Sequence, residues 1–355
     1  MRQKTSIIIT VTTAVLLAVV FFLRGKPGNH PPTLATETVP QDEASYINQA
    51  VSLLAGQTSQ RKSHGCLKGH FRVISNLEPA LRTALFSPGA SYPAWISFWA
   101  DEERKSDSEP TLQHAAIKLT AVDGEKFTGS EAEHDLFFTS HPVFPFANVE
   151  TYAEALEAIL QNRQTSFFFN PLQPNLQAFQ IYKAMREQHR DLLAIRWWSV
   201  FPYKYGPERA VKFSLRPCVD YKTKRSNYGA GLNADFLRER LIETTGSAPT
   251  CLEFMVQFQT DPETTPIENA AVHWDETVAP YIPIARLAIP AQSPSTEHDE
   301  TCNSLVFNPW RALPAHQPLG GINRARRRIF AAFANGEPTP STLPPVFTTT
   351  ESSAD

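Results

Sequence analysis

The chain of 355 residues has no excess of either charge: 33 basic and 36 acidic side chains leave a net charge of −3. Nucleic-acid binders usually carry a basic surplus, so nothing here points to that class. Cysteine is scarce. Cys66, Cys218, Cys251 and Cys302 are the four present, and no two are close enough to form a CxxC zinc or redox motif. They allow three disulfide pairings in an oxidising compartment, or buried free thiols, and their spacing does not choose. No strand-like stretch is followed by GxGxxG or a P-loop, so a nucleotide-binding α/β fold is not supported. No internal repeat is visible.

Large rings and proline are abundant. The 23 Phe, nine Tyr and six Trp supply a ring-rich core or the lining of a flat ligand pocket. The 29 prolines predict many turns and irregular loops rather than long helices.

Hydropathy divides the chain. Ser6–Leu23 is uncharged and mostly apolar; as a helix it would be about 27 Å long, close to the thickness of a bilayer core. Arg2 and Lys4 precede it, Arg24 and Lys26 follow it, and "FFLRGK" offers no small-residue cleavage site. Residues 1–24 are therefore expected to be a single-pass signal-anchor, with the folded domain on the extracytoplasmic side of the membrane. Residues 25–42 read as a Pro-rich linker, 43–335 as one folded domain, and 336–355 as a Pro/Thr/Ser-rich disordered tail.

Within the domain, "EASYINQAVSLLAGQ", "NVETYAEALEAILQNR" and "QAFQIYKAMREQHRDLLAI" show helical spacing. "GHFRVI", "AWISFWA", "AAIKLTAV", "AVKFSLRPC", "CLEFMVQFQT" and "IPIARLAI" read as strands. The pattern suits a curved antiparallel sheet with helices inserted, an α+β fold. "GGINRARRRIF", residues 320–330, is densely basic and then stops at a phenylalanine.

The blocks "SHGCLKGHFRV", "GASYPAWISFWA", "AAIKLTAVDGEKF", "TSHPVFPF", "WWSVFPYKYGPERAVKFSLRPC" and "SLVFNPWRALPAHQPLGGINRARRRIF" occur in that order. Together they resemble the heme-dependent catalase family, and more closely its compact branch of catalase-related peroxidases. The likeness runs from about Ser63 to Phe330, and its last block is the most specific. It implies an eight-stranded antiparallel β-barrel with flanking helices and a buried heme b, acting on hydrogen peroxide or on organic, including lipid, hydroperoxides. It leaves oligomerisation open.

The likeness also assigns roles. His64 takes the position of the distal histidine that moves a proton between the peroxide oxygens; His70 reads as structural. Ser140 stands where the family has the asparagine that orients peroxide. Ser97 replaces an arginine near a heme propionate, and Gln113 and His114 replace a further family context. Phe144 keeps one of two rings expected beside the heme, while Pro145 replaces the other. Arg326 fills the arginine position of the R-x-x-x-Y motif, one helical turn before the iron-binding tyrosine. That tyrosine position holds Phe330, which has no oxygen to offer a metal.

Arg326 thus keeps its cation and has lost the anion it would serve, and a water, a propionate or a carboxylate is expected to replace it. Tyr203, Tyr205 and Tyr281 are other phenols that sequence alone cannot place under an iron. The likeness predicts heme-dependent peroxide chemistry with a weakened or altered iron site. The alternative is a membrane-anchored heme binder without turnover, or a heme-free pseudoenzyme of the same fold.

Overall fold

The computed structural model describes residues 37, 39–54, 61–101, 106–129, 132–219, 233–293, 300–302 and 304–333. The expected membrane helix, most of the linker and the expected tail lie outside these residues. Among the described residues no helix is long and apolar enough to cross a membrane.

Among the described residues nine strands form one antiparallel sheet: β1 (Lys62–Val73), β2 (Ser91–Ala100), β3 (Gln113–Thr120), β4 (Glu133–Thr139), β5 (Trp197–Trp198), β6 (Tyr203–Lys204), β7 (Ala210–Pro217), β8 (Thr250–Phe258) and β9 (Tyr281–Ile289). The sheet closes on itself. β1 pairs with β9 on one side, and Thr139 of β4 meets Trp198 of β5 on the other. β5 and β6 both pair with β7, so they act as two halves of one interrupted strand. The closed unit is the expected eight-stranded barrel, and closure removes the unpaired edges an open sheet would present.

The interruption has a local cause. Val200 adopts φ 60, a conformation that β-branched residues rarely take. Ser199 holds the turn: its hydroxyl donates to the Phe201 carbonyl and accepts from the Phe213 amide, each at 3.0 Å. Phe201 then packs outside the barrel core, in the helical layer.

Period-two alternation fills the interior with Phe71, Ile96, Phe98, Ile117, Leu136, Phe138, Leu215, Phe254 and Leu287. Burying each such side chain contributes roughly 1.5–3 kcal/mol against the entropy lost on folding. Alternation also turns Phe137 to the outside of β4, where it joins Trp99, Ala116 and Phe307 in a small cluster.

Helices flank the barrel, among them α1 (Glu43–Leu54), α2 (Val149–Leu160), α3 (Gln164–Phe168), α4 (Leu176–Ala184), α5 (Phe236–Ser247) and α6 (Gly321–Phe333). α1, α2 and α6 share a second core that includes Ile47, Leu54, Leu156, Ile322, Ala325 and Ile329. Asn148 starts α2 with a reciprocal capping box to Thr151. The helix expected over 177–195 stops at Ala184. Beyond it, Glu187 bridges to Thr111 and the Gln188 side chain donates to the Ser108 carbonyl, so tertiary pairing overrides the helical spacing.

The double glycine before α6 has a steric reason. Gly320 adopts φ 89, and a Cβ there would lie 2.8 Å from the Ile267 carbonyl oxygen. Its amide donates to Glu37 at 2.6 Å and that of Gly321 to Glu268 at 2.8 Å, placing carboxylates at the positive end of the helix. Both cysteine pairs are bonded, Cys66 to Cys302 and Cys218 to Cys251. This is one of the three pairings the sequence allowed.

Candidate functional site

The basic run on α6 divides by face. Arg324 is held by three carboxylates: Glu37 and Glu43, each at 2.6 Å, and Glu268 at 2.9 Å. Arg327 is exposed and lies over the Trp310 ring, 4.8 Å from its centroid. Arg328 is exposed. Arg326 points inward and is only 5% exposed.

No carboxylate pairs with Arg326 among the described residues. Its guanidinium lies instead over three rings, at 5.1 Å from the centroid of Phe137, 5.4 Å from Phe201 and 5.9 Å from Phe330. Such contacts are worth about 2 kcal/mol each when desolvated. One Nη donates to the Asn323 side chain at 3.2 Å. Aromatic faces and an amide thus take over where an anion was expected. Burial still lowers the Arg326 pKa, against the pull of Tyr203 and Tyr152.

Phe330 is buried and meets Phe137 edge to face, with centroids 6.3 Å apart. Phe137 also touches Phe307 at 6.3 Å. Phe144 packs on Phe201 at 5.5 Å and so backs the cage from the helical side.

His64 lies on β1. It is 1% exposed, its Nε2 is 2.9 Å from the Gln113 side-chain oxygen, and its Nδ1 is 3.8 Å from Asp107. Burial lowers its pKa, and the Asp107 charge acts the other way. Asp107 is also engaged by Lys62 at 2.7 Å and by the Leu237 amide at 2.8 Å, which ties this corner to the start of α5. Ser140 exchanges hydrogen bonds with Gln113: its hydroxyl accepts from the Gln113 amide at 3.1 Å, and its own amide donates to the Gln113 carbonyl at 2.9 Å. Ser97 is buried on β2 between Cys66 of β1 and Ala116 of β3. Thus hydrogen bonds link His64, Gln113 and Ser140, and Arg326, Phe330 and Phe144 gather with Phe137 and Phe201.

Of the other phenols, Tyr205 donates to the Leu81 carbonyl at 2.5 Å and Tyr281 lies under Arg196 at 4.6 Å. Tyr203 stands beside Arg326, with its hydroxyl turned to the guanidinium.

A porphyrin between the Phe330 position and β4 would need a carbon contact of about 3.5 Å on each face, roughly 7 Å between flat flanking groups and more where one ring stands edge-on. Phe137 and Phe330 are 6.3 Å apart and perpendicular, so they touch directly. The side chains present do not fit a porphyrin there, and Phe330 brings no donor atom for its iron. No group of His, Cys, Asp or Glu able to hold a metal ion occurs among the described residues.

Sequence reasoning did not single out Phe137, Phe201 or Tyr152. The one signal for Phe137 was "HDLFFT", a strand apolar on both faces and hence covered outside as well as inside.

No family model matches the chain, and no curated protein matches it. Solved structures do. A fungal catalase aligns with a TM-score of 0.60 at 16% identity, over 92% of this chain and 70% of its own. Catalase A from Saccharomyces cerevisiae aligns with a TM-score of 0.59 at 17% identity, over 85% of this chain and 67% of its own. A bacterial catalase gives 0.60 at 15% identity, over 91% and 66%. The architecture is the catalase fold, and the chain spans about two thirds of the length of these catalases.

Proposed function

We propose that this chain is a heme-free protein of the catalase fold, a pseudoenzyme in which its own rings occupy the porphyrin position. One observation carries the reading: Phe330 lies directly against Phe137, with Arg326 over both rings. The lack of a phenolate at 330 points the same way. The test is a hemin titration of the purified full chain in detergent, followed by absorption. The expected result is no Soret band beyond free hemin; a band saturating at one equivalent would overturn the reading.

A second reading, heme-dependent chemistry on hydrogen peroxide or organic hydroperoxides, has His64 in its favour. That histidine is buried, is oriented by Gln113, and has a depressed pKa compatible with proton transfer. It requires Phe137 to move and iron to find another ligand. Peroxide consumption by hemin-loaded protein that disappears in His64→Ala would favour it.

The chain is held to a membrane by Ser6–Leu23, with the barrel on the oxidising side. The two disulfides support that side, since such bonds persist outside reducing compartments. Protease protection of the barrel in sealed vesicles, lost on adding detergent, tests it; cleavage without detergent would place the barrel in the cytoplasm.

A further inference from the structure

The helical layer exposes apolar side chains in one stretch of the chain. Phe169, Leu172 and Leu176 are 47, 89 and 48% exposed, and Leu160, the last residue of α2, is 40% exposed. The other large apolar residues exposed among the described ones are valines in separate segments, Val39, Val219, Val278 and Val306. Single exposed apolar residues are ordinary, whereas a group of them marks a contact surface. Phe169 also packs on Phe179 of α4, with centroids 4.8 Å apart.

The loop between α3 and α4 is built to hold its apolar tip outward. Asn175 fastens the two ends: its side chain donates to the Phe167 carbonyl at 2.9 Å and its amide to the Phe168 carbonyl at 3.0 Å. The Leu172 amide donates to the Asn170 side chain at 2.9 Å. Pro171 and Pro174 have no N–H, so the tip presents few free donors that would need water. Beneath it Phe168 is buried and meets Phe179 at 5.4 Å, which roots the loop in the core shared with α1 and α2.

Charge and connectivity select the occupant. Residues 158–186 hold Arg163, Lys183 and Arg186 and no acidic side chain, in a chain of net charge −3. Arg163 and Lys183 are exposed, and Lys183 lies over the Phe179 ring at 5.7 Å. Glu157, 4.0 Å from Arg163, bounds the patch. A second copy docked face to face would set these cations against each other. An anionic lipid surface would neutralise them, and apolar tips flanked by cations suit the boundary between headgroups and acyl chains. Reach agrees: residues 24–36, fully extended, span at most about 45 Å between the apolar run and Glu37. Glu37 is held to Arg324 at 2.6 Å, and α1, which follows it, shares its core with Phe168.

We propose that the loop of residues 169–176 inserts into the headgroup layer of the bilayer that holds residues 6–23, with Arg163 and Lys183 on anionic phospholipid. It is a second membrane contact, and it turns this side of the helical layer to the lipid. It rests on the membrane attachment proposed above, and the two are scored by different measurements.

All four cysteines are paired, so an introduced thiol is labelled alone. The full chain carrying Leu172→Cys, and as reference Val278→Cys, receives a nitrobenzoxadiazole label and is reconstituted in vesicles of phosphatidylcholine and phosphatidylglycerol. Emission from the Leu172→Cys label is expected to shift to the blue and to be quenched by nitroxide-bearing lipid several-fold more than emission from the Val278→Cys label. Adding Arg163→Gln with Lys183→Gln, or omitting phosphatidylglycerol, is expected to reduce that quenching. Protein that floats with the vesicles but shows equal quenching at the two positions overturns the loop contact and leaves the anchor standing; protein that does not float sinks both. A blue shift without nitroxide quenching would assign the loop to a second copy of the chain and overturn the proposal as well.

Discussion

The ring of Phe330 meets that of Phe137 edge to face, 6.3 Å between centroids, where a catalase-like reading of the sequence places an iron-binding tyrosine opposite the barrel wall. Restoring the oxygen alone therefore leaves the slot filled. Phe330→Tyr is expected to bind no hemin. The double variant Phe137→Val, Phe330→Tyr removes the opposing ring and is expected to show a ferric-tyrosinate Soret band. The check is the same hemin titration on both proteins. A full band in Phe330→Tyr alone would mean that Phe137 does not block the site.

The segment before α6 is fastened by Asp135. This carboxylate is fully buried, accepts from Lys118 at 2.9 Å, from Arg311 at 2.8 Å and from the Asn308 amide at 2.8 Å. Its pKa is raised, because burial outweighs the two cations. Asp135→Asn removes the charge that balances Lys118 and Arg311, and stranding a buried charge costs about 3–5 kcal/mol. The expected loss in chemical unfolding is of that order. A loss under about 1 kcal/mol would show that the two cations find other partners, Glu133 first, since it lies 2.9 Å from Lys118 and 3.1 Å from Arg311.

Where the sequence was legible, local spacing decided the outcome. The six expected strands coincide with β1, β2, β3, β7, β8 and β9, those at β1, β3, β7 and β8 overrunning the observed end by one or two residues, because each alternates or carries β-branched and aromatic residues. β4 was missed, since "HDLFFT" is buried on both faces and does not alternate. β5 and β6 are two residues each, and tertiary pairing with β7 defines them. At the site, Arg326 and Phe330 could be paired from the sequence because they are one turn apart on a helix. The rings that answer Arg326 could not, because Phe137 and Phe201 arrive from a distant strand and from an interruption at Val200. The same holds for Arg324, whose partners Glu37, Glu43 and Glu268 share no local spacing with it.

The disulfide from Cys66 to Cys302 ties β1, two residues beyond His64, to the segment leading into Phe307. Its sequence separation is 236, against 33 for Cys218–Cys251. In the chain-entropy account the longer loop stabilises more, by about 1.7 kcal/mol in this comparison. Cys66→Ala with Cys302→Ala is expected to lower stability by about 2–4 kcal/mol, and more than Cys218→Ala with Cys251→Ala. Denaturant midpoints of the two double variants settle the order; the reverse order would point to native packing rather than loop closure as the source.

Lys212 gives the fold a pH dependence of predictable sign. It lies on β7 between Val211 and Phe213, two residues of the barrel interior, and so turns outward. It is buried there at 3% exposure, with its Nζ 3.3 Å from the Val272 carbonyl and 5.0 Å from the centroid of the Trp274 ring. Neither is a carboxylate, and desolvation lowers its pKa from 10.5 to about 7. The neighbouring His273 is also lowered from 6.5, so it titrates below this window. Between the two lysine values the unfolded chain holds a proton that the folded chain has released. Unfolding then takes up a proton, and stability rises with pH by roughly 1.4 kcal/mol per unit at most. Below about 7 both states are protonated and this contribution to the slope vanishes, with the cost of the buried charge fully present. Lys212→Met keeps the volume and removes the charge. Denaturant unfolding from pH 6 to pH 10 is expected to show a rising midpoint in the wild type and a flatter, higher one in the variant, the gap being widest at the acid end. Parallel profiles for the two proteins would mean that Lys212 stays protonated in the fold and that the Val272 carbonyl and the Trp274 ring suffice to hold its charge.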